Sequence, residues 1–139
     1  MKIGFTGAKQ GMTKDQRATL IGVLVASAPE EFHHGDCVGA DEQAHSIATN
    51  LVENVVIHPP INDNLRAFCE AKTILPKRDY LDRNRDIVDA CDLLVAAPRS
   101  RYEIMRSGTW ATIRYARKRN KKIFIIWPEG GYANENFRE

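Results

Sequence analysis

Along the 139-residue chain, apolar positions switch between the period of a strand and the period of a helix. Residues 2–6 place Ile3 and Phe5 at strand spacing. Thr13 and Gln16 then have the form of a capping box, opening a helix with Leu20, Ile21, Leu24 and Ala28 in one stripe until Pro29 stops it. Further strands are expected at 31–34, 55–58, 93–97 and 123–127, the last three each closed by proline. Between them, Ala40, Ala44, Ile47, Ala48 and Leu51 recur at helical spacing, with Asp36 or a neighbour as the expected N-cap. Residues 80–92 form another helix whose stripe reads Leu81, Asn84, Val88 and Cys91, with Arg85 paired to Asp89. A short helix is expected around 65–71 after Asn62 or Asp63, inside a connection from Pro59 to Tyr80 long enough to serve as a binding loop or lid.

Strands that alternate with helices need right-handed crossovers, which makes the sheet mostly parallel and covers both its faces. The pattern therefore predicts an α/β, Rossmann-like, doubly wound fold of about five strands in the order 3-2-1-4-5, with residues 1–139 as a single domain. That order puts the switch point between the first and fourth strands, where two connections diverge and leave a crevice.

The loops at this crevice carry the chemistry. Arg106, Ser107, Gly108 and Thr109 open a helix of about three turns a few residues after the fourth strand ends at Pro98. A helix start has unpaired N–H groups and partial positive charge, so this junction suits a phosphate or another anion, though Ser107 also serves as an ordinary N-cap. The loop before it adds Arg99 and Arg101 to Arg106. After the first strand, Gly7 and Gly11 permit close backbone approach and Lys9 adds a charge; after the second, Gly35 and Gly39 bracket a turn while Asp36 and Asp41 suit ribose hydroxyls or helix capping. On the 80–92 helix Arg83 is freer than Arg85 to reach a ligand, and Asn84 needs polar partners among apolar neighbours.

Composition narrows the class. A net charge of +2 implies no polyanionic partner by itself, and the cluster Arg114, Arg117, Lys118, Arg119, Lys121 and Lys122 complements a helix C-terminus, with nucleic acid as the lesser alternative. Three widely spaced cysteines, Cys37, Cys69 and Cys91, imply reduced thiols. His33, His34, Asp36 and Cys37 are read as no metal site, because adjacent strand residues face opposite ways. The chain opens without the apolar core of a signal peptide and has no membrane-spanning run, so a cytoplasmic protein with no membrane partner is expected. No cofactor is implied. Trp110, Tyr115 and Tyr102 are candidate dimer contacts, and residues 130–139 are either a frayed end or a strand-like arm over a partner.

Four blocks in order resemble the SLOG superfamily, the Rossmann-like relatives of DprA/Smf and LOG proteins, with the YspA/YpsA-related branch nearest. They are Thr6 and Gly7; residues 35–41; residues 80–88 with Asp92; and residues 107–116. The resemblance implies binding or sensing of a nucleotide or ADP-ribose-like ligand, with phosphate at Gly108 and Thr109 and Arg83 near phosphate or ribose. It also implies a homodimer. Together, the residue reading and the resemblance give the candidate ligand-binding set Gly7, Lys9, Gly35, Asp36, Gly39, Asp41, Arg83, Asn84, Pro98, Arg106, Ser107, Gly108 and Thr109. The LOG enzymes cleave an N-glycosidic bond with a glutamate in a Pro-Gly-Gly-x-Gly-Thr-x-x-Glu run; here that position is Thr112, and a hydroxyl cannot replace the carboxylate. The resemblance thus leans away from an enzyme. The alternatives are a phosphoribohydrolase or deoxyribosyltransferase-like protein using Asp36, Asp41 or Glu103, and DprA-like binding of single-stranded DNA.

Overall fold

Short β-branched and apolar runs form most of the centre of the sheet, because parallel strands covered on both faces bury nearly every side chain; the strand Glu31–His34, Glu-Phe-His-His, is the polar exception. The computed structural model describes residues 1–137. Its strands are β1 (Lys2–Gly7), β2 (Glu31–His34), β3 (Asn54–Ile57), β4 (Thr73–Ile74), β5 (Leu93–Ala97), β6 (Lys122–Ile126) and β7 (Tyr132–Glu135), in one sheet ordered β4-β3-β2-β1-β5-β6-β7. The helices are α1 (Lys14–Ser27), α2 (Ala40–Ala48), α3 (Tyr80–Ala90) and α4 (Gly108–Lys118). The five expected strands keep their expected order in the middle, and β1 pairs with both β2 and β5 in parallel. The sheet is wider by one strand at each edge. Two-residue β4 pairs with β3 in parallel, and β7 folds back antiparallel on β6.

The two faces have separate cores. Leu20 and Leu24 of α1 and Ala40, Ala44 and Ala48 of α2 pack with Ile3, Phe5, Phe32 and Val95 on one face. On the other, Val88 of α3 and Trp110, Ile113 and Ala116 of α4 pack with Leu94, Ala96, Ile123 and Ile125. The capping box opens α1 as expected: Gln16 N–H donates to Thr13 Oγ1 and Thr13 N–H to Gln16 Oε1, 3.0 Å each. The stripe differs, since Ile21 and Ala28 are exposed and Gln16 is buried. Its amide donates to Pro98 O at 2.9 Å and Ile126 O at 3.0 Å, which ties α1 to the ends of β5 and β6.

Other expectations change for identifiable reasons. The predicted helix at 65–71 is a single 3₁₀ turn at Asp63–Leu65, capped by Asn62, followed by extended chain with Phe68 at φ 56°. Gly39, at φ 88°, takes the N-cap position of α2, and Leu51 lies exposed beyond that helix. On α3 the buried face is Arg83, Ile87 and Val88, leaving Leu81 57% exposed. Arg85 lies over the Tyr115 ring at 5.5 Å, while Asp89 accepts from the Tyr115 hydroxyl, so the expected Arg85–Asp89 pair is replaced. Of the proposed dimer contacts, Trp110 belongs to the core and Tyr102 is 82% exposed. The tail supplies β7, held to α4 by Arg117 donating to both carboxylate oxygens of Glu135 at 2.8 and 2.9 Å; Arg138 and Glu139 lie outside the described residues.

His33 and His34 diverge across β2. His33 Nε2 meets Glu31 at 2.8 Å and its Nδ1 meets His58 Nε2 at 2.7 Å; His34 Nε2 meets His45 Nδ1 at 2.9 Å. Asp36 N–H donates to His34 Nδ1 at 2.9 Å. His34 Nδ1 is therefore the acceptor, so Nε2 carries the proton and donates to His45. Burial pushes His34 down to about 3, with His45 adding to the effect; burial and then His33 push His58 down to about 3.

Both rings are neutral when folded and take protons on unfolding. Their contribution is complete above about pH 6.5 and is lost as pH falls toward 3, at about 1.4 kcal/mol per pH unit for each proton. Urea denaturation at pH 6.5, 5.5 and 4.5 should show a steadily falling midpoint, and a flat profile across that range would contradict it.

Candidate functional site

Where β1 and β5 send their connections to opposite faces, a cavity of about 770 Å³ opens beyond the carboxyl ends of the strands. Its size suits a small-molecule ligand. One wall is the start of α4. Ser107 is the N-cap and its Oγ accepts from Trp110 N–H at 3.3 Å, whereas the N–H groups of Gly108 and Thr109 have no partner among the described residues. The capping and anion readings are therefore compatible, because the cap uses a different donor from those that face the cavity. Arg106 and Arg99 stand on the same wall.

Opposite, the loops after β1 and β2 bring in Gly7, Lys9, Gly35 and Asp41, and α3 brings in Arg83 and Asn84. Arg83 is only 3% exposed. It donates from Nη1 to Gly35 O and to His58 O, the latter at 3.2 Å, and from Nε to Asn84 Oδ1 at 2.9 Å. Nη2 has no hydrogen-bond partner among the described residues. Gly35 makes this possible, since a methyl there would lie 2.6 Å from Arg83 Nη1. Asn84 thereby finds the polar partner its position on the helix demanded.

Asp41 is 7% exposed and accepts from Cys37 N–H at 3.2 Å. Burial raises its carboxyl to about 6 against the opposing pull of Arg83 and backbone donors. Burial also raises both neighbouring thiols, Cys69 to about 12, so neither Cys37 nor Cys69 is an activated nucleophile.

The remaining candidates lie off the cavity wall. Asp36, wholly buried, accepts from Arg66 Nε at 2.7 Å and Cys69 N–H at 2.9 Å, and so holds the 59–79 connection over the crevice. Gly39 lets two loops touch: a side chain there would run into Lys9 O. Pro98 gives its carbonyl to Gln16. Glu103 pairs with Arg114 at 2.9 Å and Arg117 at 3.3 Å. Thr112, by contrast, does line the cavity, with its hydroxyl donating to Gly108 O at 2.8 Å. Of the three carboxylates considered for catalysis, Asp41 alone reaches the cavity. Sequence reasoning also passed over Tyr80, Ile61, Leu65 and Ile104, which line it. Tyr80 lies over Arg83, 5.1 Å from guanidinium carbon to ring centre, and its hydroxyl fills the space a side chain at Gly108 would need. The signal was the long connection that ends at Tyr80.

His34, His45 and Cys69 bring one ligating atom each within 4.8 Å of one another. A metal on His34 Nε2 would require the proton to move to Nδ1, where Asp36 N–H already donates. The hydrogen-bonding pattern thus opposes a metal at this trio.

No family model matches the sequence, and no curated protein matches it. Solved structures share the fold. The molybdenum cofactor binding protein from the phototrophic bacterium Rippkaea orientalis aligns with TM-score 0.69 and 21% identity over 89% of this chain and 74% of that one. DNA processing protein A (DprA) from Streptococcus pneumoniae aligns at 0.65 and 17% identity, covering 89% of this chain but 49% of its own. The molybdenum cofactor carrier protein from Chlamydomonas reinhardtii aligns at 0.61 and 18% identity over 89% and 75%. At these identities the likeness is one of fold, and the Rossmann-like α/β fold expected from the sequence is the fold observed.

Two substitutions separate the aspartates. Asp36→Ala leaves Arg66 without its buried partner and should cost about 3 kcal/mol or more in urea denaturation. Asp41 behaves oppositely: its raised value means stability is lost as pH climbs through about 6. Asp41→Asn should match wild type at pH 4 and exceed it by up to about 3 kcal/mol at pH 8.

Proposed function

We propose that this protein binds or senses a nucleotide or ADP-ribose-like ligand whose phosphate sits at the start of α4. The observation that carries this reading is that a buried guanidinium, its Nη2 without a partner among the described residues, lines the same cavity as Gly108 and Thr109, whose N–H groups have no partner there either. A phosphate supplies acceptors for all of them and a negative charge bonded directly to Arg83, whose hydrogen-bond partners among the described residues are all neutral oxygens. The apolar side chains of Ile61, Leu65 and Ile104 provide surface for the uncharged part of the ligand. Molybdenum cofactor binding or carriage by two proteins of this fold supports a small-molecule role, and a phosphate-bearing heterocyclic cofactor presents the same recognition chemistry.

The enzymatic alternative rests on Asp41, a cavity carboxyl poised near pH 6, in the absence of the LOG-type glutamate. The DNA alternative has less support from the geometry, because Arg114 and Arg117 pair with Glu103, Arg119 lies 3.6 Å from Asp89, and Lys121 donates to Cys91 O at 2.5 Å. The DprA match also spans only about half of that protein.

A thermal-shift panel of nucleoside monophosphates, ADP-ribose and phosphorylated cofactors tests the proposal. A ligand at a hundred times its dissociation constant should stabilise by about 2.7 kcal/mol. Arg106→Ala, at an exposed position, should weaken phosphorylated ligands several-fold and leave the corresponding nucleosides unaffected. Release of free base that disappears in Asp41→Asn would replace binding by catalysis, and a salt-sensitive oligonucleotide shift without any nucleotide response would favour the DNA reading.

A further inference from the structure

Tyr80 stands between the two electropositive features of the cavity. It is the first residue of α3, about half exposed, and its ring lies over the Arg83 guanidinium at 5.1 Å. Its hydroxyl rests against the first residue of α4, in the volume that the missing side chain of Gly108 leaves open. No hydrogen bond reaches that hydroxyl among the described residues. A phenol held against a helix start, beside two backbone N–H groups unpaired among the described residues, has a donor proton that no protein group there accepts.

We infer that Tyr80 is a further anion ligand, its hydroxyl donating to the group bound at the start of α4 while Arg83 holds the ring in place. The assignment rests on the proposed phosphate position and deepens it. It also gives Gly108 a specific purpose: glycine at this position admits the phenol hydroxyl to the anion site, whereas any Cβ would displace it. The chemical class selected is an oxyanion with several acceptor oxygens, a phosphate monoester or diphosphate, because one cavity is lined by several donors: the Gly108 and Thr109 amides, the Tyr80 hydroxyl and the Arg83 guanidinium. The Arg83 guanidinium, 97% buried by its 3% exposure, is the independent sign of a ligand, so the assignment does not depend on the helix terminus alone.

The experiment is calorimetric titration of wild type and Tyr80→Phe with inorganic phosphate, AMP and ADP-ribose, and with adenosine as the unphosphorylated control. Tyr80→Phe keeps the ring and its packing on Arg83 and removes only the hydroxyl; an unchanged melting temperature checks this. Affinity for the phosphorylated probes should fall about fivefold or more, with adenosine unchanged. Equal affinities in the two proteins overturn the assignment alone, as does a loss that is the same for adenosine and AMP. A wild-type protein silent to every phosphorylated probe overturns the phosphate reading and this assignment together.

Discussion

A guanidinium keeps its proton in any protein interior, so burying one obliges the surrounding structure to supply acceptors. Around Arg83 that obligation reaches four parts of the chain. Gly35 has no side chain because the guanidinium occupies the space; the Gly35 and His58 carbonyls turn toward it; Asn84 gives it an oxygen; and Tyr80 lies on its face. The ends of β2 and β3 and the start of α3 are joined through one side chain. The same charge holds down the proton affinity of Asp41, which burial alone would raise further. The direct hydrogen-bond partners of Arg83 among the described residues are neutral oxygens, and its guanidinium lines the crevice.

The crevice is framed by a second buried charge of different purpose. Asp36 and Arg66 are a closed pair, with the remaining carboxylate oxygen on the Cys69 amide, and they fasten the long 59–79 connection to the end of β2. Through that anchor, a segment with little regular structure presents Ile61 and Leu65 to the cavity. One aspartate serves the architecture, and its neighbour five residues later lines the cavity.

Much of this fold was legible because its interior is regular. Four of the five central strands are short, largely apolar segments stopped by proline or glycine, β2 being Glu-Phe-His-His, and the Thr13 and Ser107 caps name their helix starts outright. What escaped has physical reasons. Thr73–Ile74 is too short to show alternation, and Tyr132–Glu135 is a polar edge strand, held by backbone pairing and an ion pair that pattern reading cannot see. On α3 an arginine reads as solvent-facing, so the expected stripe ran through Leu81 and missed the face that Arg83 shares with Ile87. The anion-ready end of α4 was visible for the same reason the caps were. Asp36 and Asp41 were not separable, since both lie in the glycine-bearing turn after β2 and each suits either a ligand or the backbone. Only their burial and partners distinguish them.

β7 has a consequence for how the protein behaves among other proteins. β6 is the apolar strand Lys-Ile-Phe-Ile-Ile, and an uncovered edge of that composition would recruit strands from other chains. The antiparallel return covers it with Tyr-Ala-Asn-Glu, and Phe124 stacks on Tyr132 at 4.7 Å. The outermost backbone groups of that side of the sheet now belong to a short polar segment pinned by Arg117. The last turn of the fold therefore works as a solubility device: it exchanges an adhesive boundary for a hydrated one.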